Sequence, residues 1–177
     1  MRRPDLVSDC GNCEAICCIA TSFEASEDFA FDKAAGTACP HLTRAQRCEV
    51  HAQLAARGLP GCALYDCYGA GPRATRAFAG VPSANHERNA MFLVLRVVHE
   101  WLWQLTQATR LCPNSHTELH TRLVSEIAAL DALAAQPASA LLDADLRPRH
   151  DAVHALLIRV GAACGGRRRA LAVLQDE

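Results

Sequence analysis

Eight of the ten cysteines in this 177-residue chain lie between Cys10 and Cys67, in the runs DCGNCEAICC, ACPHLTRAQRCEVH and GCALYDC. Thiols grouped at this density are spent on a metal or on disulfides. Either use constrains the fold more than the hydrophobic pattern does, because residues 1 to about 72 carry only short apolar runs. A segment of that size buries too little surface to fold by burial alone and needs staples. The expected architecture is mainly α: a small irregular metal-stapled cysteine-rich module over residues 1–72, then a three-helix bundle over residues 85–177.

The helical half is written in periodicity. From His86 to Leu111, Met91, Leu95, Val98, Leu102 and Leu105 recur at three- and four-residue steps and predict one long helix, stopped by Pro113. Ser115 stands three residues before Glu118, a capping-box spacing, and Leu119, Leu123, Ile127 and Leu130 carry a second helix toward Pro137. A third runs from Arg149 to Ala163 through Val153, Leu156, Leu157 and Val160, and ends at Gly165–Gly166 before a basic coda. Gly69 to Ser83, rich in Gly, Pro and small residues, reads as a linker. Nearer the N-terminus, Ser26–Lys33 predicts a turn or two of helix. Cys39–Leu42 and Arg47–His51 predict paired extended pieces, and Ala52–Arg57 a brief helix closed by Gly58.

Charge and composition exclude some function classes. The net charge is −1 with a pI of about 6.7, so no basic field draws nucleic acid or an anionic membrane. No apolar run has the length of a secretory signal or a membrane span, which places the protein in the cytoplasm. Thiols stay reduced there, and a cysteine-rich segment is then more often a metal site than a disulfide framework. The single lysine among seventeen arginines reads as a compositional bias only.

Cys10 and Cys13 form a C-x2-C knuckle, the spacing that lets two thiolates reach one tetrahedral ion while backbone amides turn toward the sulfurs. Cys17 and Cys18 follow as a doublet. Neighbouring side chains diverge, so the doublet suits two metal atoms, or two irons of one cluster, better than a single ion. Cys39, Cys48, Cys62 and Cys67 supply a second four, and eight thiols suffice for two four-coordinate centres. Thiolate-only sites suit zinc and iron–sulfur alike, but no C-x2-C-x2-C run occurs, which favours zinc with an iron–sulfur cluster as the alternative. A disulfide framework and ordinary buried thiols remain the other readings of the same residues.

The order C-x2-C-x3-C-C, C-P-x-L, R-C-x-V-H and G-C-x3-D-C resembles a zinc- or iron-chelating cysteine-rich family of bacterial proteins. DCGNCEAICC, DFAFDKAAGTACPHL, RCEVH, GCALYDCYGAG and MFLVLRVVHEWLWQLTQA are more closely similar to the cysteine-rich region that precedes pentapeptide repeats in many actinobacterial proteins. The resemblance covers most of the chain and implies Cys10, Cys13, Cys17, Cys18, Cys39, Cys48, Cys62 and Cys67 as the ligand set. No pentapeptide repeats occur in these 177 residues, so nothing that a repeat solenoid contributes carries over.

Other candidates have ordinary readings beside the chemical one. His51 can replace a thiolate or donate from behind the ligands, His41 is a weaker ligand, and Asp66 can support the neighbouring Cys67. His116/His120 and His150/His154 stand four apart, each pair able to grip a metal or simply to line a polar helix face. His99-Glu100 lacks the second histidine of a zincin motif. Trp101 and Trp103 read as packing anchors, and Cys112 and Cys164 as buried or free thiols. Arg167 to Arg169 read as a solvated charge run. No nucleophile–base order, phosphate loop or open three-ligand site accompanies the thiols. The expectation is a non-enzymatic metal-binding protein with another protein as partner. An iron–sulfur electron-transfer or redox-sensing protein is the alternative, kept open by a resemblance to cysteine-rich segments of modification enzymes such as flagellin lysine methylases.

Overall fold

The computed structural model describes residues 6–81, 85–112 and 115–164. Pro113, the Gly165–Gly166 pair and Arg167–Arg169 lie outside them. The described residues are mainly helical: α1 (Cys17–Ala20), α2 (Pro60–Leu64), α3 (Ala70–Ala77), α4 (Asn85–Leu111), α5 (Thr117–Ala134), α6 (Ala138–Leu142) and α7 (Arg147–Ala163). Their backbone contacts divide the chain into two units, residues 1–99 and 100–177, with the division inside α4.

The first unit is loops and short helical turns held by few regular hydrogen bonds. Antiparallel bridges join Phe23 to Lys33 and Leu42 to Cys48, so the pairing expected between Cys39–Leu42 and Arg47–His51 survives as one bridge. Residues 26–33 are not helical. Ser26 N–H and Phe29 O pair at 2.8 Å, and the Ala25 amide donates to Asp32 Oδ1 at 2.7 Å, turning the strip into a hairpin-like loop instead. The brief helix at residues 52–57 becomes two 3-10 turns, His51–Gln53 and Ala55–Arg57, closed by Gly58 in the left-handed region at φ 71°. Val50, Leu54 and Leu59 form a small buried cluster, with Phe29, Phe31, Cys48 and Cys62 packed on it.

The expected linker is where the sequence reading fails most clearly: residues 70–77 are the helix α3. Gly69 starts it with a left-handed φ of 80°, and Pro72 falls in the first turn, where its missing N–H is not needed. Ala70, Gly71, Pro72 and Ala74 are buried, and at Gly71 the helix lies close to the Cys13 and Cys67 side chains.

The first half of α4 completes this unit with Met91, Phe92, Leu95, Val98 and His99 fully buried. In the second unit, α5 and α7 pack together along Leu119, Leu123, Leu130, Val153, Leu156 and Val160. The capping box expected at Ser115–Glu118 does not form. His116 precedes α5 without a side-chain cap, and Glu118 instead pairs with Arg122 at 3.2 Å and Arg159 at 3.6 Å. α7 begins two residues before its expected start, at Arg147, with Pro148 in its first turn. The short α6 was not expected from the sequence; it buries Leu141. No described helix is long and apolar enough to cross a membrane.

Candidate functional site

All ten cysteines are free thiols, and the eight of the N-terminal region are gathered in the first unit. Their spatial grouping is not their order in the chain. Cys67 lies beside Cys13 across Gly71, and the Cys39 amide donates to Cys18 O.

The first set is Cys10, Cys13, Cys17 and Cys67. Cys10 opens a 3-10 turn, Cys10–Asn12, capped by Asp9, whose carboxylate accepts from the Asn12 amide. Arg47 clamps this knuckle from outside, donating to Gly11 O at 2.8 Å and Cys13 O at 2.9 Å. Cys13 and Cys67 meet at α3: a Cβ on Gly71 would lie 2.7 Å from Cys13 Sγ and 3.7 Å from Cys67 Sγ. Only glycine lets the helix approach the two sulfurs this closely. Burial pushes the Cys13 thiol up, while hydrogen bonds from the Ile16 amide, the Thr75 hydroxyl and the Ala15 amide draw it back. Ala15 aims these amides by adopting a left-handed φ of 50°. Ser8 Oγ lies 3.1 Å from Cys67 Sγ, receives the Cys67 amide at 3.2 Å, and donates to Asp66 Oδ1 at 2.6 Å. Asp66 therefore supports Cys67 through Ser8 and also accepts the Tyr68 amide at 2.7 Å. Tyr68 is left-handed at φ 49°, and buried His99 of α4 holds its carbonyl through Nδ1 at 2.7 Å.

The second set is Cys18, Cys39, Cys48 and Cys62. The Cys39 amide donates to Cys18 O at 2.9 Å, the Leu42–Cys48 bridge returns the chain beside Cys39, and Cys48 and Cys62 share the Val50–Leu54–Leu59 cluster. Burial raises both Cys48 and Cys62, and repulsion from Cys18 and Cys39 adds to it in each. In the first set, burial and then repulsion from Cys67 and Cys13 push Cys10 up.

The doublet joins the sets. Cys17 keeps its proton because it hydrogen-bonds to Cys18 and is buried, with Cys13 and Cys67 as its further thiol neighbours. Cys18 is drawn down to about 7, first by that hydrogen bond and then, against burial, by the Lys33 ammonium. Sequence reasoning passed over Lys33, Arg47, Thr75 and Gly71. All four belong to types that are common on surfaces or in loops, and only the tertiary fold brings them to the cysteine loops.

The remaining candidates are occupied otherwise. His41 Nδ1 meets Glu49 Oε1 at 3.1 Å, and His51 is exposed on its 3-10 turn. His120 Nε2 lies 3.1 Å from Cys112 O, whereas His116 stands exposed ahead of α5. His150 and His154 stack with ring centroids 6.1 Å apart, His150 also facing Trp101 and the Asp151 carboxylate. Cys164 Sγ donates to Leu111 O at 3.0 Å, and Cys112 is buried.

Among the described residues, no group of three or more His, Cys, Asp or Glu side chains already stands around a common point as a bound ion requires. Amides and a hydroxyl face Cys13, Gly71 lets α3 lie against the Cys13 and Cys67 sulfurs, and the Lys33 ammonium donates to carbonyls at the end of α1.

No family model matches the chain, and no solved structure matches it. It is 34% identical over 125 residues to the uncharacterized protein YybG of Bacillus subtilis (strain 168). The match covers 66% of this chain and 45% of YybG, so the chain spans about half the length of this curated relative.

Proposed function

We propose that this chain is a non-enzymatic metal-binding protein whose eight thiols hold two thiophilic cations. Cys10, Cys13, Cys17 and Cys67 serve one, and Cys18, Cys39, Cys48 and Cys62 the other. The metal is zinc, with an iron–sulfur cluster as the alternative. Bound, it cross-links the first unit as a structural centre and presents a surface to another protein in the cytoplasm. The observation that supports this most is the gathering of reduced thiols in the first unit, with Cys13 and Cys67 side by side at Gly71, amide and hydroxyl donors facing Cys13, and the Cys39 amide bonded to Cys18 O. Eight reduced thiols kept merely as small apolar side chains would need no such donors.

Elemental analysis of protein purified without oxygen tests the reading. The expected result is a colourless protein with two zinc ions per chain, and Cys17→Ser and Cys18→Ser each lower that content. A brown preparation with iron and acid-labile sulfide would transfer the same ligand sets to the alternative. Protein with eight titratable thiols and no metal would overturn the proposal.

A further inference from the structure

Two cysteines, Cys112 and Cys164, stand apart from the eight and belong to the second unit. Cys112 follows the last residue of α4 and is buried, whereas Cys164 caps α7 and is half-buried. Remote in sequence, they meet in space: Cys164 Sγ donates to Leu111 O at 3.0 Å. That oxygen lies in the peptide plane that also carries the Cys112 Cα. The last carbonyl of a helix has no partner within the helix, so the thiol of α7 closes the end of α4. Both backbones are fixed at this point. The Cys112 amide donates to Ala108 O at 2.9 Å and its carbonyl lies 3.1 Å from His120 Nε2 of α5, while the Cys164 amide donates to Val160 O at 2.9 Å.

Two cysteines can be bridged without rebuilding the backbone only where their chains already run close together, with Cα atoms within about 7 Å. A sulfur in contact with the other residue's own peptide unit puts the two chains side by side. Turning Cys164 about its Cα–Cβ bond then exchanges the Leu111 oxygen for the Cys112 sulfur. The two thiols also differ in access. Cys164 is the more open and meets a reagent from solvent first, and the buried Cys112 is the one left to resolve the product. Burial, and after it the nearby Cys164, pushes the Cys112 thiol up, which suits a sulfur that reacts only once its neighbour has been oxidised.

We propose that Cys112 and Cys164 are a redox modification site: with a low-molecular-weight disulfide as oxidant they form a reversible disulfide that staples the end of α4 to the end of α7. Cys164 gives its proton to solvent and attacks one sulfur of the oxidant; the S–S bond breaks, and the other sulfur leaves as a thiolate that takes up a proton. Cys112, deprotonated in turn, attacks the Cys164 sulfur of the mixed disulfide, and the second small thiol leaves in the same way. Two protein thiols are thus oxidised by two electrons, and one small disulfide is reduced to two thiols. The new bond closes a loop that holds all of α5, α6 and α7. Closing so long a loop removes entropy from the unfolded chain and stabilises the second unit. Neither sulfur belongs to the two proposed metal-binding fours, so the inference does not depend on them.

The test is to equilibrate the full chain in glutathione buffers from fully reduced to fully oxidised, block the remaining thiols with iodoacetamide, and map the unreduced digest by mass spectrometry. The expected result is a peptide pair linked through Cys112 and Cys164 that dithiothreitol separates. A rise of roughly 10 °C or more in the thermal midpoint of the second unit should accompany it. Cys164→Ser keeps a donor for Leu111 O, so it is expected to fold with the stability of the reduced protein and to show neither the linked pair nor the rise. It keeps the test open even where Cys112→Ser, at a buried position, does not fold. Both thiols recovered alkylated from oxidised glutathione, Cys164 stopped at the glutathione adduct, or Cys164 linked to one of the N-terminal eight would each overturn the proposal. So would a thermal rise that persists in Cys164→Ser.

Discussion

Cys18 differs from its neighbours in how readily it ionises. The Cys17 hydrogen bond and Lys33 draw its thiol to about 7, whereas burial raises Cys10, Cys13, Cys48 and Cys62 from 9.0. The thiolate is the species that attacks an alkylating agent, so lowering the value moves reaction to lower pH and raising it moves reaction higher. In metal-free protein, Cys18 should be alkylated with a half-maximal rate near pH 7, and those four thiols only above pH 9. Peptide mapping after brief iodoacetamide exposure across this range reads it directly. Cys18 modified no earlier than Cys48 would mean that the doublet does not share its proton as described. The strained residues point to the same loops: Ala15, Gln46 and Tyr68 adopt left-handed backbone without being glycine, and each adjoins a cysteine loop or Arg47. Such conformations cost about 1–3 kcal/mol each and persist only where the surroundings impose them.

At the scale of elements, α3 is the piece that closes the first set. It follows Cys67 directly, its Ala70 amide donates to Cys67 O at 3.0 Å, and its first turn brings Gly71 against Cys13. A methyl group at Gly71 would stand 2.7 Å from Cys13 Sγ, so either the sulfur or the helix must retreat. Gly71→Ala should therefore destabilise the protein by about 1–3 kcal/mol, the usual cost of overpacking, and weaken zinc loading at the first set. Chemical denaturation and a zinc titration would report both effects. Wild-type stability together with wild-type loading would show that the close approach has no structural consequence. α4 is held to this region at two points: the buried Arg88 pairs with Glu14, beside the knuckle, and His99 braces Tyr68.

For the whole molecule, the two units differ in what holds them. The second has an ordinary apolar core, including Leu105, Leu123, Leu130, Leu141 and Val153, and none of the eight thiols. The first buries Leu6, Ile16, Leu59, Ala70, Ala74 and the inner face of α4, but joins them through long loops and short helical turns that carry all eight thiols. Structural zinc contributes on the order of 10–16 kcal/mol in small thiolate domains, as much as the entire net stability of an ordinary domain, about 5–15 kcal/mol. Strong chelation should consequently expose residues 6–81 to protease while α5 to α7 stay protected. Limited proteolysis followed by mass spectrometry would locate the first cuts, and unchanged resistance of the cysteine loops would show that metal does not hold them.

What the sequence determined by itself is the periodic and the local. α4, α5 and α7 lie where three- and four-residue apolar steps put them, because burial of one face is recorded in every turn of a long helix. The closure at Gly58 was legible for the same reason, since a left-handed cap needs only a residue without Cβ. The divergence expected of adjacent side chains is overturned at Cys17 and Cys18, whose thiols hydrogen-bond to each other. The tertiary structure alone decided which thiols stand together. Grouping by order put Cys67 with Cys39, Cys48 and Cys62, but α3 returns it to Cys13, and a hydrogen bond between distant backbones gives Cys18 to Cys39. Contacts between residues remote in the chain leave no period to read. For that reason residues 70–77 looked like a linker, and Lys33 like a trace of composition, until the fold placed one against two sulfurs and the other on the carbonyls at the end of α1.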